Sequence, residues 1–158
     1  MLKRSLPALT LVIILFACNK KSTEPCTLVD GHPNTTEIAN IQTYLTSKGI
    51  TATQDSRGFF YQIVGPGYGT PPTAASTVTV NYKGTLTDGT SFDSTVTGTP
   101  ATFPLSNLIL GWQYGIPLIK KAGVIYLYLP PSLGYGCVGS GAVPGNATTI
   151  FRIELVNY

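Results

Sequence analysis

Few side chains in this chain of 158 residues are suited to covalent or metal chemistry. His32 is the only histidine, and the three cysteines form no Cys-x-x-Cys pair. No nucleophile is paired with a base as nucleophilic catalysis requires, and no ligand set has the spacing of a metal site. The sequence therefore predicts no cofactor and no metal, which leaves shape, aromatic surface and a few polar groups to do any chemistry.

Charge is also sparse. Charged residues make up 11% of the chain, hydrophobic residues make up 43%, and the formal net charge is +3. This composition is too apolar for a disordered chain, and the length suits one domain. Because no basic stripe or charge run is present, we expect no nucleic-acid partner.

One glycine-rich stretch has the spacing of a nucleotide-binding motif. Residues 134–139 spell G-x-G-x-x-G, a fingerprint that requires a strand before it and a helix after it. Pro130 and Pro131 precede the stretch, and Gly141, Pro144 and Gly145 follow it, so no helix can start there. We therefore expect a loop that covers a pocket.

The residues around this loop need strands and a helix to position them. Asp88-Gly89 is a strong hairpin signal, and helical spacing predicts one short helix within 111–121. A further helix, from Thr35 to Lys48, has a single apolar stripe that predicts docking on the domain. These elements predict an α+β domain with an antiparallel sheet. Strands are expected over 59–64, 77–82, 123–129 and 148–156.

Four motifs follow one another in the second half of the chain. They are V-T-V-N-Y-K-G-T-L-T-D-G-T-S-F-D-S over 78–94, L-I-L-G-W over 108–112, L-G-Y-G over 133–136 and A-T-T-I-F-R-I-E-L over 147–155. In content and order they resemble the signature of the FKBP-type peptidyl-prolyl cis-trans isomerases. The resemblance implies that family's fold, an antiparallel β-sheet wrapped around one short α-helix, and its activity, the isomerisation of X-Pro bonds.

The resemblance also implies roles for individual residues. Asp93, Trp112 and Tyr135 are the implied catalytic residues, with Trp112 as the floor under the substrate's proline ring. Asp93, Tyr135 and the backbone N–H of Ile109 are the implied polar groups of the pocket. The implied substrate-binding residues are Tyr82, Phe92, Phe103, Leu108, Ile109, Val143 and Phe151.

Some of these positions have a simpler structural explanation. Tyr82 and Phe151 are equally suited to the core, and Asp93 is equally suited to holding the Tyr82 hydroxyl. Two further positions depart from the family pattern. Ala101 stands where many members carry an aromatic residue, which is expected to widen the pocket wall, and Leu110 replaces the usual Pro or Arg.

The function implied by the resemblance is faster X-Pro isomerisation in exported proteins as they fold. The implied partners are proline-containing exported polypeptides and macrolides of the immunosuppressant type. Two alternatives stay open. The same pocket could serve a binding module without turnover, or the chain could be an envelope chaperone whose helix over 35–48 helps to hold unfolded proteins.

The N-terminal residues predict export. An apolar run over 8–17 is too short to span a bilayer comfortably, which favours a signal peptide over 1–17. Leu15-x-Ala17-Cys18 resembles the bacterial lipobox, which implies lipidation at Cys18. The lipid would anchor the protein in the bacterial cell envelope, on the periplasmic side of a membrane. The outer membrane is the expected one. The alternative is a soluble secretory signal in which Cys18 is incidental.

These predictions divide the chain into three parts. They are a signal over 1–17, a tether with a short amphipathic helix over 18–49, and an isomerase domain over 50–158. Because no motif precedes residue 50, the pocket is expected to work without the tether. Cys26 lies in the tether and Cys137 in the glycine-rich loop. An oxidising compartment permits a disulfide between them, and two unpaired thiols are the alternative.

Overall fold

The structure is a computed structural model that describes residues 29–158, so the predictions on Cys18 and Cys26 lie outside the described residues. Within this range no helix is long and apolar enough to cross a membrane. The helices are α1 (Thr35–Ser47) and α2 (Leu110–Gly115). The strands are β1 (Thr53–Gln54), β2 (Phe60–Gly65), β3 (Thr77–Leu86), β4 (Ser91–Ser94), β5 (Ala101–Pro104), β6 (Val124–Leu129) and β7 (Thr149–Asn157).

The strands form one antiparallel sheet of seven strands in the order β1-β2-β6-β7-β3-β4, with β5 also paired to β3. The pairing of β7 with both β6 and β3 places the last strand of the chain in the middle of the sheet. The predicted fold class, an antiparallel sheet wrapped around a short helix, is confirmed. The predicted hairpin turn at Asp88-Gly89 joins β3 to β4, whereas the short strand β5 was not predicted.

The face of the sheet that carries α2 holds the main core. Tyr61, Leu127 and Phe151 are successive partners across β2, β6 and β7, so their side chains lie in one row on this face. Leu127 is fully buried and Phe151 is 1% exposed. This row is the base on which α2 packs.

Two glycines let α2 lie against β6. A Cβ atom built at Gly111 would lie 2.4 Å from Leu129 Cδ1, and one built at Gly115 would lie 2.5 Å from Leu127 Cδ1. These distances are far below van der Waals contact, so any side chain here would push the helix away from the strand. The glycines before and after Trp112 therefore fix the depth at which its ring sits.

The opposite face of the sheet is covered by α1. Phe60, Tyr128 and Ile150 are successive partners across the same three strands and form a second buried cluster with Ile41 and Leu45 of α1. Burial on both faces explains why Phe60, next to the buried Phe59 in sequence, is itself only 2% exposed.

Helix α1 has well-formed ends. Asn34 caps the first turn in a reciprocal pair of hydrogen bonds with Glu37, and Gly49 follows the last turn with φ of +64°. The Ile50 N–H donates to the Leu45 carbonyl at 2.9 Å, which completes a Schellman motif. The helix predicted from Thr35 to Lys48 is thus observed within one residue.

Candidate active site

A cavity of about 180 Å³ opens where β3, β4, β5, α2 and β7 meet the glycine-rich loop. Most of its lining is aromatic or aliphatic, and Asp93 is its only charged side chain. All its lining residues belong to the sets that the family resemblance implied. They are Tyr82, Asp93, Phe103, Leu108, Ile109, Trp112, Tyr135 and Phe151.

Trp112 is held in place by aromatic rings. Its ring meets Tyr82 edge-on at 5.1 Å and Phe151 edge-on at 5.2 Å between centroids. Its indole N–H is buried without a hydrogen-bond partner among the described residues. A residue that forms the floor of a pocket would be partly open to solvent in the free protein, but Trp112 is only 4% exposed because these rings and α2 enclose it.

Tyr82 and Asp93 form a polar pair at the cavity wall. The Tyr82 hydroxyl donates to Asp93 Oδ2 at 2.7 Å. Burial, and then the hydrogen bond to Asp93, raise the pKa of Tyr82, so this phenol stays protonated at neutral pH. This is the supporting role that the sequence allowed for Asp93, while contact between Asp93 and substrate stays a prediction.

Tyr135 offers the cavity a hydrogen-bond donor. It is half-buried, and its ring meets that of Phe92 edge-on at 6.0 Å. Burial and then the charge of Asp93 raise the pKa of Tyr135, which keeps its hydroxyl protonated at neutral pH. Unlike the Tyr82 hydroxyl, the Tyr135 hydroxyl makes no hydrogen bond within residues 29–158. It is therefore available to a ligand carbonyl.

Two predicted wall residues do not line the cavity. Phe92 lies behind the wall, edge-on to Phe151 at 5.4 Å, over Gly84, where a Cβ atom would come within 2.6 Å of its ring. Val143 is 5% exposed, and its backbone exchanges two hydrogen bonds with that of Ser140, just after the glycine-rich loop. Of the two, Phe92 supports the wall from behind.

The two positions that depart from the family pattern are also outside the lining. Ala101 pairs with Val80 at the start of β5. Leu110 opens α2, and a Cβ atom built at Gly31 would lie 3.2 Å from its Cδ1. Leu110 thus contacts the segment that leads into α1, a contact that no motif indicates.

Gln113 supports the site, although none of the family motifs includes it. Its side-chain amide donates to the carbonyl of Leu108 at 2.7 Å and to that of Ser106 at 3.3 Å. These bonds hold the segment that carries Leu108 and Ile109 against the first turn of α2. Its position next to Trp112 is the only feature of the sequence that indicates a role for Gln113 at the site.

Cys137 lies in the glycine-rich loop and is disulfide-bonded. No other cysteine occurs within 29–158, so the partner is outside the described residues. The pairing with Cys26 stays a prediction.

Known proteins resemble this chain over the same region. Residues 69–156 match the family model of FKBP-type peptidyl-prolyl cis-trans isomerases. The isomerase FkpA of Escherichia coli K12 is 45% identical over 111 residues, and the isomerase Mip of Coxiella burnetii is 41% identical over 104 residues. The crystal structure of E. coli FkpA superposes with a TM-score of 0.69 at 41% identity, over 77% of this chain and 57% of that one.

The chain therefore belongs to the FKBP-type peptidyl-prolyl cis-trans isomerase family. The matches cover 70% of this chain but 40% of the E. coli FkpA sequence, and 65% of this chain but 45% of Mip. The chain thus spans less than half the length of these relatives. What is shared is the domain that holds the cavity.

Proposed function

We propose that this protein is a peptidyl-prolyl cis-trans isomerase that acts on proline-containing exported polypeptides as they fold. One observation carries the proposal. Eight side chains from separate parts of the sequence converge on one aromatic cavity, and the family resemblance implies a role in the pocket for all eight. Trp112 closes the cavity between Tyr82 and Phe151, where a proline ring would pack against it.

The chemistry needs no nucleophile. Rotation about an X-Pro bond crosses a barrier of roughly 20 kcal/mol because it breaks amide resonance. The twisted amide is less polar than the planar one, so an apolar cavity favours it by removing water from the carbonyl. Such a cavity accelerates the reaction only as far as it binds the twisted form better than the planar form.

Polar groups at the edge of the cavity would orient the peptide. The Tyr135 hydroxyl is a protonated donor, and the Ile109 N–H stands at the N-cap of α2, where a helix leaves its first N–H groups unpaired. Both are suited to carbonyl oxygens next to the proline. Asp93 fixes the Tyr82 hydroxyl, so Tyr82 is held as a wall.

The direct test is a protease-coupled or refolding-coupled isomerase assay on the full-length protein purified in detergent. We expect acceleration of X-Pro isomerisation far above the uncatalysed rate, whose time constant is roughly 10–100 s. The Tyr135→Phe variant should keep the cavity and lose turnover. Saturable binding of a proline peptide without turnover would assign the cavity to a binding module.

We further propose that Cys18 carries a lipid anchor in the bacterial envelope. The proposal rests on the Leu15-x-Ala17-Cys18 spacing after the apolar run. Two or more buried acyl chains give stable anchoring, so the protein expressed in a bacterium should partition into the detergent phase. Cys18→Ser should release the protein or block its processing, and phase partitioning followed by blotting would measure this.

Cys26→Ser is the matched control for that test, because it removes a cysteine eight positions along the same segment and leaves the lipobox intact. It should partition like the wild type. Recovery of the wild-type protein wholly in the soluble fraction would rule out the anchor.

A further inference from the structure

The first turn of α1 is tied to the loop that carries Tyr135, defined here as the Tyr135 loop (residues 130–139). Glu37 Oε1 accepts the backbone N–H of Ser132 at 3.1 Å, and Glu37 Oε2 accepts the Ser132 hydroxyl at 3.0 Å. The same Oε2 accepts the Asn34 N–H at 2.9 Å. One carboxylate thus joins two segments that are 95 residues apart in the chain.

The Ser132 N–H needs such a partner. Residues Pro131–Leu133 form a single 3-10 turn whose N-cap, Pro130, supplies no side-chain hydrogen bond. Pro131 has no N–H, so Ser132 has the first donor of the turn, and this donor has no acceptor within the turn. Ser132 is 8% exposed, and a buried donor left unpaired would destabilise the turn.

The same turn sets the position of Tyr135. The Pro131 carbonyl accepts the N–H of Gly134 at 2.9 Å and the N–H of Gly136 at 2.8 Å. These two glycines flank Tyr135, so its backbone is fixed to the turn on both sides. Any displacement of the turn therefore moves the Tyr135 hydroxyl.

The segment before α1 adds a second contact. A Cβ atom built at Gly136 would lie 3.1 Å from Val29 Cγ2, so the chain near Val29 runs directly over the Tyr135 loop. The segment also touches Leu110 at Gly31, as described above. Contacts at Gly136 and Ser132 thus brace the loop from the same stretch of chain.

We propose that Glu37 is a positioning residue for Tyr135. Its carboxylate accepts charge-assisted hydrogen bonds from Ser132, holds the turn over residues 131–133, and through that turn fixes the place of the Tyr135 hydroxyl in the cavity. Glu37 lies outside the stretch that matches the family model, residues 69–156. The proposal rests on the isomerase function for its effect on turnover.

Glu37→Gln tests the proposal, with Asn34→Ala as its matched control. Glu37→Gln keeps the size of the side chain but replaces one accepting oxygen with an amide donor, so Ser132 loses part of its partner. Asn34→Ala removes the other half of the same helix cap and leaves the Asn34 N–H and the Glu37–Ser132 bonds in place. The control thus weakens α1 without touching the Tyr135 loop.

Amide hydrogen exchange and kcat/KM, both measured on the full-length protein in detergent, test whether Glu37 positions Tyr135. We expect Glu37→Gln to speed amide hydrogen exchange at Gly134 and Gly136 by about tenfold and to lower kcat/KM on a short X-Pro peptide by about tenfold. Asn34→Ala should lower the Tm at least as much and change neither readout. Unaltered exchange in Glu37→Gln, or equal changes in the two variants, overturns the proposal.

The exchange readout separates this proposal from the isomerase function. If the wild-type protein shows no turnover, the proposed function fails, while the exchange rates at Gly134 and Gly136 still decide the role of Glu37. If Glu37→Gln does not fold, Ser132→Ala replaces it. Removing that hydroxyl should raise exchange at both glycines by about threefold, and wild-type exchange in this variant overturns the proposal.

Discussion

We expect replacement of Trp112 with leucine to lower the affinity for a proline-containing peptide by about tenfold or more while the protein stays folded. Leucine fills part of the indole volume, at a cost of about 1–3 kcal/mol in the free energy of unfolding. It cannot replace the flat face between Tyr82 and Phe151 against which a proline ring would pack. Isothermal titration calorimetry on both proteins would measure the change.

Phe60→Leu is the matched control for this variant. Phe60 is as deeply buried as Trp112, at 2% against 4% exposure, but it lies in the cluster under α1 on the opposite face of the sheet. The Phe60→Leu variant should lose a comparable amount of stability and keep the wild-type affinity for the proline-containing peptide. Equal affinities in the wild type and Trp112→Leu would remove Trp112 from the site.

The wild-type protein offers an independent check, because Trp112 is its only tryptophan. Its ring is almost covered, so we expect bound peptide to change the emission through the polarity next to the ring and not through loss of exposure. The change should saturate with peptide concentration. Emission that is indifferent to ligand would contradict a place for Trp112 in the cavity wall.

Loss of the packing between α1 and the sheet is the second large expected effect. Leu45 is 2% exposed against Phe60, Tyr128 and Ile150, so Leu45→Ala should lower the free energy of unfolding by about 2–5 kcal/mol. A chain that begins at Thr51 loses the whole helix and exposes this aromatic cluster to water. We expect it to be strongly destabilised, with a much lower urea midpoint, and with that to lose activity.

Gln42→Ala is the control on the same helix. Gln42 is exposed, and alanine is at least as good a helix former, so its urea midpoint should match that of the wild type. A chain from Thr51 that unfolds at the wild-type midpoint would show that α1 contributes nothing. The sequence alone predicts that a chain from Thr51 keeps its activity, since no motif precedes residue 50.

The cavity could be predicted from the sequence because the family resemblance implies a role for each of its lining residues. The alternation from Val78 to Tyr82 predicts a strand, and the glycines beside Trp112 suit a helix that lies close to a neighbour. Both features are local, so they can be recognised without knowing how distant parts of the chain pack together. Phe92 marks the limit of this reasoning, since a motif letter does not distinguish a ring that lines a cavity from one that supports it.

Contacts between distant residues could not be predicted in the same way. Nothing in the sequence near Glu37 indicates that Ser132 is its partner, because the pairing depends on how α1 lies on the sheet. Phe60 shows the same limit. Alternation assigns Phe59 and Phe60 to opposite faces, but only the docked helix shows that both faces are buried.

The place of β7 in the sheet bears on how this protein completes its own folding. β7 is the last strand in the chain, yet it joins β6 to β3 in the centre of the sheet. Until residues 149–157 have been synthesised, β3 and β6 both present unpaired edges, which are sites of aggregation. Closure of the sheet must therefore follow synthesis of the final strand, and the cavity, which includes Phe151 of β7, forms only in that last step.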